Sequence, residues 1–301
     1  MSSLASLLKR LPTEGFYNLP LPGTITLSGD DAKTFLQGQL TCNLEDISPT
    51  QSRLGAYCDI KGRVVGLFRV IQIDQYYHLV MDPEIIDIVA KTLRRYAVFS
   101  RVTLDTAPVF SQRIGIIGHS ALNLPQQLDE VYTRDGQTIV KVPGAQPRWE
   151  ILVPSSATPI TEQPLQDPAA WEAHNILCGL PTLKANTSGQ FTTHKLGLIQ
   201  LQAVSFNKGC YLGQEIVART QYLGTQKGGL YWAAIEPPFS FPPKTEIHDV
   251  QQQLIGNIIN CTTIDNFTLI LAALKQAPHQ DDQYFITNTR VSLMTPFTQP
   301  L

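Results

Sequence analysis

The stretch Lys208-Gly-Cys-Tyr-Leu-Gly-Gln-Glu215 stands apart from the rest of the chain. Gly209 and Gly213 flank a cysteine and an aromatic residue, and Gln214 to Thr220 then runs without glycine or proline. That pattern predicts a tight loop feeding a helix. Cys210 would sit just ahead of the helix N-terminus, where the helix dipole and nearby Lys208 favour a thiolate. The two glycines let backbone amides come close to a ligand. Two readings of Cys210 stand at this point: a solvent-reachable reactive thiol, or a small hydrophobe packed in a turn.

Upstream, Thr24–Leu27 predicts a strand, and Ser28-Gly29-Asp30 a turn and helix start before Ala32–Leu40. Thr41–Arg53 is polar and loop-rich. Arg63–Ile73 and Tyr76–Val80, split by Asp74-Gln75, predict a β-hairpin. Pro83 opens a helix to about Arg95, with Ile85, Ile86, Val89 and Leu93 at helical spacing. Val98–Leu104 returns as a strand. Arg113–Gly118 and Trp149–Val153 are further strands, and Pro168–Cys178 is a helix ended by Gly179. This order, without a glycine-rich phosphate loop, predicts an α+β fold. Past Lys227 the character changes. Leu230–Ile235, Leu254–Cys261, Thr268–Leu274 and Arg290–Leu293 predict a small β-barrel. The expected division is residues 1–226, two interleaved α+β units, and 227–301, the barrel.

The bulk numbers exclude several classes. The chain has 301 residues, 43% apolar and 16% charged, with a net charge of −2. It can bury a core, and nothing in its overall charge predicts strong direct binding to nucleic acid. Its five cysteines are widely spaced, with no CxxC pair, so no stable metal site is expected. The N-terminus lacks a signal-peptide core and no apolar run is long enough to span a membrane, which makes cytoplasm the expected address. Asp87 and Lys91 have the spacing of a helical ion pair. Arg94, Arg95 and Arg101 read as a solvated face or as a basic patch.

The segment Lys208–Glu215 resembles the signature of the YgfZ-like family. Other stretches resemble the same family: Phe35-Leu-Gln-Gly-Gln-Leu-Thr41, Asp59-Ile-Lys61-Gly62-Arg63, Arg95–Val102, Gly179-Leu-Pro181 and Ser188-Gly189-Gln190-Phe191. The resemblance covers about residues 24–225. It implies the aminomethyltransferase fold of the glycine-cleavage T-protein, three units around a central funnel that holds tetrahydrofolate. It also implies an accessory role in the assembly or repair of iron–sulfur enzymes, including one that methylthiolates tRNA. Cys210 would carry the function, supported by Lys208, Gly209, Tyr211, Gly213, Gln214 and Glu215.

The chain departs from the T-protein in one informative place. Where that enzyme carries an Asp-Asp pair, this sequence reads Gly66-Leu67. Aminomethyl transfer needs an acid or base beside the folate nitrogen, so the missing carboxylate argues against a transferase. A folate-dependent aminomethyl- or methyltransferase and a noncatalytic scaffold stay as alternatives. Trp171 aligns with a folate-contacting tryptophan of the family, although a core tryptophan on an amphipathic helix reads equally well. Tyr57, Lys61 and Arg63 are candidate funnel residues. The family's glutamate two residues before Gly179 is replaced by Leu177.

Overall fold

The computed structural model describes residues 10–118, 124–158, 163–224, 228–278, 283–287, 289–291 and 295–296. The N-terminal residues 1–9 and part of the strand expected at 290–293 lie outside them. Three antiparallel sheets carry the fold. The first contains β2 (Gly23–Ser28), β3 (Arg53–Cys58), β4 (Val64–Ile73), β5 (Tyr76–Met81) and β6 (Thr103–Asp105), in the order β3-β4-β5-β2-β6. Its centre is the expected hairpin, closed where Ile73 pairs with Tyr76 and Asp74 takes a left-handed conformation. Helix α1 (Ala32–Gln39) buries Phe35 and Leu36, and α2 (Ile86–Ala97) buries Val89, Ala90 and Leu93. Gly66 makes room for α2, because a Cβ there would lie 2.6 Å from Val89.

The second sheet joins β1 (Gly15–Leu19), β7 (Phe110–Ile117), β8 (Val131–Arg134), β9 (Gln137–Val142) and β10 (Arg148–Pro154), in the order β1-β7-β10-β9-β8. Helix α3 (Ala169–Leu177) follows it and ends where Gly179 adopts φ +63°. Leu180 N then donates to Asn175 O, satisfying a carbonyl of the last turn. Thr182–Gly197 is a run of turns, as its polar composition predicts. Helix α4 (Gln214–Leu223) comes next.

The third sheet is β11 (Leu230–Ile235), β12 (Glu246–His248), β13 (Leu254–Ile264), β14 (Phe267–Leu274), β15 (Tyr284–Ile286), β16 (Thr289–Val291) and β17 (Thr295–Pro296). Its order is β16-β15-β12-β13-β14-β11-β17, and it curls into a half-barrel. One apolar core runs from Ile25, Leu36 and Val70 of the first sheet and α1 to Leu269 and Leu271 of the third. The fold is thus α+β, with three sheets meeting at a centre.

One expected strand is corrected. Val98–Leu104 is strand only over Thr103–Asp105. Val98 and Phe99 are 73% and 96% exposed, and Ser100 N turns back to Ala97 O. Their apolar character does not reflect burial. Asp87 and Lys91 are not within ion-pair distance, and Arg101 is committed to Asp30 and Asp31 at 3.0 and 3.1 Å. Only Arg94 and Arg95 of that trio are left without an ion pair among the described residues.

Candidate functional site

Four separated sequence motifs fold against one another around Cys210. Thr41, at the end of the first, is the hub. Its Oγ1 donates to Ala203 O at 2.6 Å and accepts from Ala56 N at 2.9 Å. Its carbonyl accepts from Ser205 N at 2.9 Å. The chain leading into the cysteine loop is thereby fixed to the first sheet. Lys208 fixes the loop's other side by donating to Leu40 O and Cys42 O, both at 2.7 Å. These are carbonyls just past the end of α1, where a cation is favoured. Burial pulls the Lys208 ammonium down to about 8.

The turn at 59–63 supports the loop from below. Asp59 Oδ1 accepts from Lys61 N at 2.8 Å and Arg63 N at 2.9 Å, which closes the turn. Gly213, at φ +81°, sits directly on it: a Cβ there would lie 2.4 Å from Asp59 O. Gly62, at φ +69°, returns the contact, with a virtual Cβ 3.1 Å from Ile216 of α4. The fourth motif pairs with β4 beside the turn. Val64 N donates to Phe191 O, Gly189 N to Val64 O, and Ser188 Oγ to Val65 O at 2.7 Å.

Held this way, Cys210 is exposed, whereas Cys42, Cys58 and Cys178 are buried. Burial pushes the thiols of Cys42 and Cys58 up to about 12. Cys210 is therefore the thiol within reach of solvent and of a partner on this face. Lys208 does not serve it as expected. Its ammonium is turned inward to the carbonyls and lies 5.3 Å from the Tyr211 ring centre. Tyr211 is 6% exposed and Tyr57 fully buried, and neither hydroxyl has a hydrogen-bond partner. Burial raises both phenols well above the usual range. Gly209 faces open space, and Gln214 and Glu215 open α4, with Glu215 exposed at its positive end.

A second feature is a central cavity of about 390 Å³ lined by all three sheets. Leu54, Leu67 and Phe68 come from the first sheet, Arg113 and Glu150 from the second, and Asn260 and Cys261 from the third. Arg113 clamps Glu150 with two bonds of 2.7 and 3.0 Å. Lys184 engages Asp82 at 2.7 Å. Glu172, also on the wall, is in no ion pair among the described residues and accepts only from Asn175 Nδ2 at 3.3 Å.

Compared with curated proteins, the chain is 37% identical over 246 residues to the tRNA-modifying protein YgfZ of Colwellia psychrerythraea. That match covers 77% of this chain and 76% of the relative. The chain belongs to the YgfZ family. The YgfZ protein of Vibrio atlanticus is 36% identical over 213 residues, 67% of this chain and 64% of its own. An uncharacterised Haemophilus influenzae protein is 27% identical over 287 residues, 92% of this chain and 95% of its own. No family model matches. Among solved structures, the glycine cleavage system aminomethyltransferase T from Bartonella henselae superposes with a TM-score of 0.72 at 13% identity. It covers 99% of this chain and 90% of that one, and the likeness is one of fold.

In this YgfZ-family chain the expected site residues fall into two places. Cys210, Lys208, Gly209, Tyr211, Gly213, Gln214 and Glu215 form the outer loop and the start of α4. Tyr57, Lys61 and Arg63, expected at the funnel, are not among the residues lining this cavity; Tyr57 is buried in β3, and Lys61 and Arg63 lie in the turn beneath Gly213. Trp171 does line the cavity, yet it is only 2% exposed. Its ring packs against Gly115, where a Cβ would come within 2.5 Å, and the Arg148 guanidinium lies 4.6 Å from its centre. Sequence reasoning missed Arg113, Glu150 and Glu172. The signal is faint: Arg113 and Glu150 each sit beside an isoleucine in a strand, and Glu172 is one charge on a mostly apolar helix. Among the described residues no cluster of His, Cys, Asp or Glu could hold a metal ion, and no helix is long and apolar enough to cross a membrane.

Proposed function

We propose that the chain is a folate-binding accessory protein in tRNA modification, supporting iron–sulfur enzymes such as a tRNA methylthiotransferase through Cys210. The observation that carries this reading is the presentation of Cys210, exposed, on a loop that Lys208 bonds to the end of α1 and that Gly213 seats on the 59–63 turn. A scaffold has no need of a positioned thiol. The names of the YgfZ relatives support the tRNA part.

The cavity fits a folate by its chemistry. A pterin is flat and carries in-plane donors and acceptors. Leu67, Phe68 and Trp171 offer apolar and aromatic wall. Glu172 and Asn175 offer a carboxylate and an amide with spare hydrogen-bonding capacity. Tetrahydrofolate, when bound, supplies a one-carbon carrier. Leu67 puts an alkyl group on the β4 wall where the T-protein has carboxylates, and this favours the accessory role over aminomethyl transfer. Tetrahydrofolate is expected to quench the intrinsic fluorescence of wild type, and Trp171→Phe to remove most of that quenching. Identical titrations of both proteins would take Trp171 out of the folate contact.

The test of function is complementation. In a strain lacking this gene, wild type is expected to restore methylthiolated tRNA. Cys210→Ala, at equal protein level, is expected to restore less than a tenth of it, while Cys42→Ala restores most. Equal restoration by Cys210→Ala would make the cysteine structural and leave a scaffold.

A further inference from the structure

We propose that the turn at 59–63 and the outer face of α4 form a docking surface around Cys210 for a client protein with an apolar centre and an acidic rim. The proposal rests on the function above and deepens it by describing the partner of the same site.

Large apolar side chains crowd this face without burial. Ile60 at the tip of the turn is 71% exposed, and Ile216 and Leu223 on α4 are 37% and 83% exposed. Ile216 and Leu223 are seven residues apart, so they share one side of the helix. The Gly62–Ile216 contact brings the turn against that side, and Ile60 lies in the same turn two residues before Gly62. Contiguous exposed apolar surface marks interaction sites. Ile60 and Leu223 are mostly in solvent, while Ile216 also packs on Gly62 and the inward side of α4 buries Val217.

Charge selects the partner. Lys61, Arg63 and Arg219 are exposed on this face and are in no ion pair among the described residues. Of the acids nearby, Asp59 has one oxygen occupied by its own turn, and Glu215 remains. A chain with net charge −2 thus presents a locally basic rim around an aliphatic centre. That arrangement is the anatomy of a protein interface, apolar within and charged at the edge. RNA would find phosphate partners in the cations and one aromatic face in Tyr222, 69% exposed on α4, but the aliphatic Ile60, Ile216 and Leu223 outnumber it and offer bases no stacking platform. Gly209 leaves open space beside the thiol, so a docked protein can bring its own reactive group to Cys210.

The experiment uses the full chain and a purified iron–sulfur tRNA methylthiotransferase as probe, with Kd measured by biolayer interferometry. Two double variants test the two parts: Ile60→Asp with Leu223→Asp, and Lys61→Glu with Arg219→Glu. All four side chains are exposed, and unchanged thermal melts verify folding. Each pair is expected to raise Kd at least tenfold, and the wild-type affinity is expected to fall as salt rises. The proposal is overturned by absence of a saturable complex, by unchanged Kd in both pairs, or by loss of tRNA binding alone in the charge pair. Should both pairs complement as wild type while Cys210→Ala fails, the thiol function stands and the docking surface falls.

Discussion

Gly213→Val is expected to abolish complementation although the Cys210 side chain itself is unchanged. The residue holds φ +81°, a left-handed conformation that costs an ordinary L-residue about 1–2 kcal/mol. A β-branched side chain is worse still, because its rotamers are already restricted. Sterics add to the backbone term. The new Cβ would lie 2.4 Å from Asp59 O, 3.2 Å from Cys58 Cβ and 3.3 Å from Gly62 Cα. Two of those atoms are backbone and the third is buried, so none can swing away. The combined loss is about 3 kcal/mol or more, most of it relieved by lifting the loop off the 59–63 turn. Urea unfolding should show the lower stability, and Cys210 alkylation in native buffer should show the altered loop. Gly209→Ala is the contrast. A Cβ at 209 meets nothing within 4 Å, so its stability should change by no more than about 0.5 kcal/mol. Equal stability of Gly213→Val and wild type would mean that the cysteine loop does not depend on the turn beneath it.

What the sequence could and could not disclose follows from the range of each interaction. The 64–73 and 76–81 hairpin, α2, α3 and α4 are local patterns closed by local turns, and they were readable within a few residues. The β8–β9 hairpin is equally local, yet no strand is expected there. Asp135-Gly136, at φ +49° and +76°, is a standard hairpin turn, but the polar Val131–Arg134 strand hid it. Strand β3 was missed for another reason. Leu54 to Cys58 are all buried, so no alternation marks the strand. The motif at 208–215 was legible as a cysteine loop before a helix. Its geometry was not, because it is made by Thr41, Asp59 and Phe191, which lie far away in the chain. Lys208 shows the difference most clearly. Proximity in sequence paired it with Cys210, whereas the carbonyls of Leu40 and Cys42 claim it in the fold. Val98 and Phe99 carry the hydrophobicity of a strand, and hydrophobicity does not distinguish a core residue from an exposed one.

Glu150→Gln should be the most damaging single-atom change in the central cavity. Glu150 is 7% exposed and accepts two hydrogen bonds from Arg113. Burial alone would raise its carboxyl, but Arg113, followed by Arg69 and Arg148, holds it below the ordinary value of 4.5. Three arginines therefore share the field of one carboxylate, although Arg69 also has Asp129 and Arg148 also has the Asn175 side chain and backbone carbonyls. Removing the charge at constant shape strands Arg113, at a cost of about 3 kcal/mol at pH 7, the lower end of the range for a broken buried pair. The lower end applies because the Arg113 side chain is 27% exposed. The sign of the pH dependence follows from the lowered carboxyl. Its contribution is present above about 4.5 and is lost as pH falls through the folded-state value. Urea midpoints of wild type and Glu150→Gln should therefore differ most near neutrality and converge in acid. The double variant Arg113→Met with Glu150→Leu separates charge from packing. With neither ion present, no arginine is stranded at that point of the wall, and the double variant should be more stable than Glu150→Gln. A double variant less stable than the single one would mean that the pair contributes more than the desolvation it requires. A pH profile that does not converge in acid would show that Glu150 is not the group whose charge the three arginines sense.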